Sequence, residues 1–309
     1  MSLLDGEYLG YEYKWRHFDC SIRNIRKVLF IFMRKIRYHL VDQSPWPFVV
    51  SGGVFNLVTL TVFYLHNGYT LGLSSFGKSQ WLFNNGYLVT FVFGLLGVGF
   101  WLRDIIREGT FEGQHTYLVR GGLRLGFALF ILSEVVFFGG FFWGYFWLCQ
   151  SSEDSLSGFW PGKGLAKVDP LELPLCNTIL LLSSGVSLTY SHEGLLLGNR
   201  RGFINGLFIT ILLAFIFILV QSYEYKVASL TISDGSYGSC FYLLTGFHGF
   251  HVLIGLLMLV VTFVRGYNYH LTSGHHLGFE VSGWYWHFVD VVWLYLYIAL
   301  YIYGSLILI

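Results

Sequence analysis

Residues Gly122 to Cys149 read GLRLGFALFILSEVVFFGGFFWGYFWLC, an apolar run that carries one acid, Glu134. At about 1.5 Å of rise per helical residue, Glu134 lies roughly 18 Å in from Gly122, near the midplane of a bilayer. An ionised carboxylate at that depth costs at least about 2.5 kcal/mol, so the acid is expected to be protonated or paired. A proton relay is one reason to keep such a group. A hydrogen bond that locks two helices together is the other, and the residues alone leave the two level.

The rest of the chain has the same character. Its 309 residues are 54% hydrophobic and 12% charged, and the apolar residues fall in long runs between short polar breaks. Each crossing of about 30 Å of hydrocarbon needs about 20 such residues. Alternation at period two is absent, which argues against an outer-membrane barrel. Seven spans are predicted, at about 47–66, 84–106, 122–149, 171–191, 203–223, 239–264 and 279–307. The fold class is therefore an all-α polytopic membrane protein. The four cysteines, Cys20, Cys149, Cys176 and Cys240, are far apart and form neither a disulfide framework nor a zinc site. The polar loop after the third span, at 151–170, is the best compositional boundary between groups of helices.

Orientation follows from Lys and Arg. Fifteen of the nineteen fall on one side of the membrane, including Lys14 to Arg37 of the N-terminal tail, Arg107 and Arg265. That side is the cytoplasm of a bacterium or the matrix of a mitochondrion, with the C-terminus on the other. Residues 1–38 form a basic extension in which Ile22, Ile25, Leu29, Phe32 and Ile36 recur at helical spacing. This suits a helix lying on an anionic membrane surface or docking a neighbouring subunit. Asp5, Glu7, Glu12 and Asp19 speak against a cleavable transit peptide. A net charge of +1 speaks against nucleic-acid binding.

Besides Glu134, the ionisable residues within spans are His248 and His251 in the sixth and Glu280, His287 and Asp290 in the seventh. His248 and His251 share a helix face, as do His287 and Asp290. A haem held by the two histidines would need further His ligands at matching depth on another span, and the seventh offers only His287. All five are read as inter-helix polar contacts, with no catalytic or metal-ligating residue in this chain. Gly140 and Gly144 form a GxxxG that would admit a close neighbouring helix, and Gly246 and Gly249 would do the same.

Several motifs then occur in order: His39-Leu-Val-Asp-Gln-Ser-Pro-Trp-Pro47, Trp101-Leu-Arg-Asp-Ile-Ile-Arg-Glu108, Phe111-Glu-Gly-Gln-His-Thr116 and Ser133-Glu-Val-Val-Phe-Phe138. They continue with Thr231-Ile-Ser-Asp-Gly-Ser-Tyr-Gly-Ser239, Thr245-Gly-Phe-His-Gly-Phe-His251, His275-His-Leu-Gly-Phe-Glu280 and Trp284-Tyr-Trp-His-Phe-Val-Asp-Val-Val-Trp293. In this order and at these intervals the chain, from about residue 39 to its end, resembles subunit III of cytochrome c oxidase. The resemblance implies a core subunit of respiratory complex IV without redox centres, haem a and copper lying in partner subunits I and II. It implies two helix groups, 39–110 with the first two spans and 111–309 with the last five. Between them would be a V-shaped cleft filled with phospholipid such as cardiolipin.

Residue by residue, Glu134 matches the family's reactive membrane carboxylate and His115 a nearby histidine of the lipid-facing cleft. Arg107, Arg265 and His270 match positions that contact lipid head groups. The resemblance further implies help with proton uptake into subunit I, protection of that subunit during turnover, and a path for O2. Tyr117, Asn268 and the long basic tail depart from the usual pattern, and the tail suggests contact with lineage-specific accessory subunits. The 30 phenylalanines point to an organellar genome and so to the mitochondrial inner membrane. A related quinol oxidase and an independent carrier or channel are the other classes. The first differs in its electron donor, the second in working alone in liposomes.

Overall fold

The computed structural model describes residues 39, 41, 43–70, 77–151, 160 and 168–304. The expected surface helix of residues 1–38 lies outside them. Seven α-helices follow in order: α1 (Trp46–Thr70), α2 (Gly77–Thr110), α3 (Tyr117–Ser151), α4 (Leu173–Leu196), α5 (Arg200–Val227), α6 (Gly235–Tyr267) and α7 (Leu277–Leu296). A π-helix, Tyr297–Tyr303, continues α7. All seven are long and apolar enough to cross a membrane. Among the described residues there is no strand, only an isolated bridge between Thr272 and His275. Most helices outrun the apolar spans because the backbone stays helical into polar residues at the membrane surface.

Local chemistry sets several helix ends. Gly198, at φ +71°, takes the left-handed position after α4 that an L side chain resists. Asn199 follows and its side chain accepts from Gly202 N at 3.1 Å, capping α5. The α4–α5 hairpin is therefore tight.

The chain divides into two compact units, Met1–Val119 and Arg120–Ile309. The division does not fall in the polar loop after the third span, where composition alone places it. In the first unit, Trp46 donates its indole N–H to Asp104 Oδ2 at 2.6 Å and stacks on Phe100. Thr61 bonds Tyr87 between the same two helices. Gly53 lies against Gly94, so α1 and α2 approach closely. Yet Phe48, Val54, Phe55, Val58 and Val62 are all exposed, an apolar surface that water would not tolerate.

The second unit has a core, and α7 with its π-helix is the centre of it, 61% buried against 0% for α1. Trp286 donates to Ser184 Oγ at 2.9 Å and Trp293 to Thr178 Oγ1 at 3.0 Å, fixing α7 on α4. Two modes of packing are visible. The α4–α5 contact is close: a Cβ on Gly206 would meet the backbone of Ser187 and Ser191 at 3.0 Å. Helix α3 instead meets its neighbours through aromatic side chains, Phe138 and Tyr145 being almost wholly buried. Gly140, Gly144, Gly246 and Gly249 make no such close approach within this chain. Among the described residues nothing lies within 4 Å of a Cβ on any of them, and Gly140 and Gly246 are exposed.

Gly206→Ala should lower the thermal midpoint of the detergent-solubilised protein, by the ~1–3 kcal/mol typical of overpacking. Gly246→Ala, with open space and better helix propensity, should leave the midpoint unchanged or raise it. Equal effects at both positions would refute this packing contrast.

Candidate functional site

Glu134 sits at the middle of α3 and its partner is His251 of α6. Glu134 Oε2 and His251 Nε2 are 2.8 Å apart, the two side chains 20% and 9% exposed. His251 Nδ1 lies 2.7 Å from Phe247 O, and a carbonyl can only accept, so Nδ1 carries a hydrogen. If Nε2 and Oε2 both lacked a proton, two lone pairs would face each other. The bond therefore contains one proton, held by the carboxyl or by the imidazole. Either way the pair is neutral overall, which is the arrangement a low-dielectric interior favours. Phe138 lies edge-on to the imidazole at 4.9 Å, and Tyr285 is stacked parallel to it at 6.3 Å. The unit can hold a proton, and can move it between two atoms without changing its net charge.

The other polar residues of the sixth and seventh spans are distributed among different helices. His248, one turn from His251, donates Nε2–H to Val289 O at 3.2 Å and so ties α6 to α7. Glu280, in the first turn of α7, accepts from Arg124 Nε and Nη2 at 3.0 and 2.8 Å, tying α3 to α7. His287 and Asp290 both face Gly185 of α4, Asp290 Oδ2 standing 3.1 Å from where a Cβ would be. No hydrogen bond joins these two, and Asp290 Oδ1 is buried without a partner.

The cationic residues matched to head-group positions lie near helix ends, in different units. In the first, Arg107 helps to line a polar pocket of about 340 Å³ with Trp46, Asp104 and Glu112. His115 packs on Gly109, and its ring is 6.3 Å from that of His39, which bonds Glu108. In the second, the Arg265 guanidinium lies against Gly278 at the start of α7. His270 is held by its N–H to Arg265 O at 2.9 Å. Beside Glu134, an apolar groove of about 440 Å³ runs between α3 and α7, lined by Val135, Phe138, Phe142, Trp143, Phe288 and Tyr295. Among the described residues, no group of three or more His, Cys, Asp or Glu could hold a metal ion.

Two ionisable groups, one buried and one half-buried, escaped the reading of the spans. Glu224 is 2% exposed and accepts from Tyr301 at 2.7 Å. His192 lies edge-on to His276 and Phe279, with Nε2 buried and unpartnered. Each is the first ionisable residue past a span end drawn at the fall in hydropathy. Extending the helical register one turn would have found both.

The cytochrome c oxidase subunit III family model matches residues 36–305. Among curated proteins, cytochrome c oxidase subunit 3 of Equus caballus is 48% identical over 271 residues, covering 87% of this chain and 97% of that protein. The protein of the same description from the fungus Podospora anserina is 47% identical over 271 residues, covering 87% and 95%. That from Osphranter robustus is 47% identical, covering 87% and 97%.

Glu134→Gln can still donate an amide N–H to His251 Nε2 and should keep stability within about 1 kcal/mol of the parent. Glu134→Leu leaves that nitrogen buried and unpaired and should cost about 1–3 kcal/mol. Thermal denaturation of the two variants side by side checks this. Equal losses would mean that the proton in this bond has been misplaced.

Proposed function

The chain belongs to the cytochrome c oxidase subunit III family, and from that premise we propose that it is a non-redox core subunit of cytochrome c oxidase. In this reading it supports electron transfer from cytochrome c to O2, and the coupled proton pumping, by stabilising subunit I. Its place is the mitochondrial inner membrane, with the N-terminus in the matrix and the C-terminus in the intermembrane space. The excess of Lys and Arg on the N-terminal side supports that orientation. Haem a and copper belong to the partner subunits.

Phospholipid binding is the first role we assign to the chain's own residues. The apolar groove between α3 and α7 has the size and lining to take an acyl chain. Arg107, Arg265, His115 and His270, close to helix ends, suit anionic head groups, since their stems can stay in hydrocarbon while the charge reaches phosphate. Glu134 is then a lipid-site and stability residue first. The 2.8 Å contact between Glu134 and His251 is the observation that carries a second role in assisting proton uptake. An apolar groove also admits O2.

Two measurements test this. Gentle purification through this chain should bring subunits I and II with it and give an a-type haem signal in the reduced-minus-oxidised spectrum. A colourless chain arriving alone would overturn the oxidase reading, and transport in liposomes would be the next assay. In the assembled enzyme, Glu134→Gln keeps the hydrogen bond but removes the acid. It should leave the haem spectrum unchanged while shortening activity in sustained turnover and lowering co-purified phospholipid. If pumping, turnover lifetime and bound lipid all stay as in the parent, both roles assigned to Glu134 are wrong.

A further inference from the structure

Helices α4 and α7 run antiparallel, Thr178 meeting Trp293 and Ser184 meeting Trp286. At the middle of their seam stand two ionisable side chains that the pairings above do not use. Asp290 Oδ2 lies 3.1 Å, and the His287 imidazole 3.7 Å, from the same point, the position that a Cβ on Gly185 would take. The two groups thus converge at the edge of one glycine. They do not bond each other, and among the described residues Asp290 Oδ1 has no hydrogen-bond partner. Asp290 is 9% exposed, while His287 opens to the surface of the chain. Glycine keeps the carboxyl within reach, since a methyl at position 185 would crowd Oδ2.

Depth makes this placement costly. Asp290 is halfway along the 27-residue span Leu277–Tyr303, which puts it about 20 Å from either end at 1.5 Å of rise per residue. Gly185 is likewise at the middle of α4 (Leu173–Leu196). At that level lipid acyl chains offer neither donor nor acceptor. Ionisable residues carried there pair with other protein groups.

The surface around the pair has the pattern of a helix-docking line. On α4, Leu182, Val186 and Thr189 are exposed at spacings of four and three, and on α7, Trp284, His287 and Val291 are exposed at spacings of three and four. Residues so spaced share a helix face, and Leu182 and Thr189 stand three before and four after Gly185. A small residue on such a line lets a neighbouring backbone come close. Val186 is 71% exposed. The groove assigned to an acyl chain is on the α3 side of α7, with Val291 at the border.

We propose, on the reading of this chain as a subunit of a membrane complex, that a transmembrane helix of a partner subunit docks along the α4–α7 seam. At Gly185 it presents a hydroxyl or carboxamide side chain to Asp290 and His287. A carboxylate only accepts, while a neutral imidazole carries one N–H and one acceptor nitrogen. A hydroxyl or carboxamide both donates and accepts, so a single such side chain serves both residues. A wholly apolar helix leaves both unsatisfied, and an acyl chain does no better.

The structure of the intact complex decides this. A hydroxyl or carboxamide from another subunit's helix, within hydrogen-bond distance of Asp290 or His287, is expected. Acyl chains along the seam, an apolar partner helix, or a direct Asp290–His287 bond would overturn the docking; with subunits I and II present, the oxidase reading would stand. A chain that purifies alone overturns both. Retention in detergent gives a second measure. Asp290→Ala should raise the fraction of complex that loses this chain roughly threefold, the equivalent of one interhelical hydrogen bond. Asp290→Asn keeps an acceptor oxygen and should be retained like the parent. Val186→Trp adds bulk outside the fold and should release the chain while leaving its helical content unchanged. Parent-like retention of both Asp290→Ala and Val186→Trp refutes the docking. If Asp290→Ala fails to fold, Val186→Trp and the parent structure decide.

Discussion

Hydrocarbon offers no hydrogen-bond partner, so every polar atom carried into the membrane must be satisfied by the chain, by lipid or by bound water. The helices settle the backbone. The side chains are settled largely by one helix: Trp286 and Trp293 reach α4, Val289 O receives His248 of α6, Glu280 receives Arg124 of α3, and Ala299 O receives Tyr145. These bonds radiate from α7 and its π-helical extension. The most buried span is thus also the one that the polar groups of its neighbours converge on.

Helix separation determines what those groups can be. Where α4 and α5 touch through Gly206, a hydroxyl pair bridges them, Ser187 to Thr210 at 2.8 Å. Helix α3 is held off by phenylalanine and tyrosine. Only long side chains cross that gap, and Glu134 and His251 do so near mid-membrane. The same spacing leaves the groove beside Glu134 open along α7. An acid that is one-fifth exposed at the bilayer midplane is therefore a consequence of aromatic packing on α3, and its neutral pairing with His251 is what makes it tolerable.

The seven spans were legible because hydropathy is a property of windows, and each window is long. Their ends were not, since hydropathy falls before the helix stops, and Glu224 and His192 were lost at such ends. Gly140 and Gly144 meet no helix of this chain. A GxxxG permits close approach but does not require it. Glu134 was recognisable as a buried acid from its neighbours alone. Its partner was not, because His251 is 117 positions away and no periodicity links two helices that far apart. The ordered motifs supplied the family, whose matched region begins near the first of them.

A lock and a relay, the two readings of Glu134, place different demands on one bond. The proton between Oε2 and Nε2 can rest on either atom while Phe247 O keeps the imidazole oriented. Locking needs only that the bond persist, and it persists in both states. Relaying needs the proton to change sides, and neutrality of the pair means that no net charge is created in hydrocarbon when it does. A side chain that merely held two helices across this gap could have been a long amide, which would hold the contact without an acidic proton.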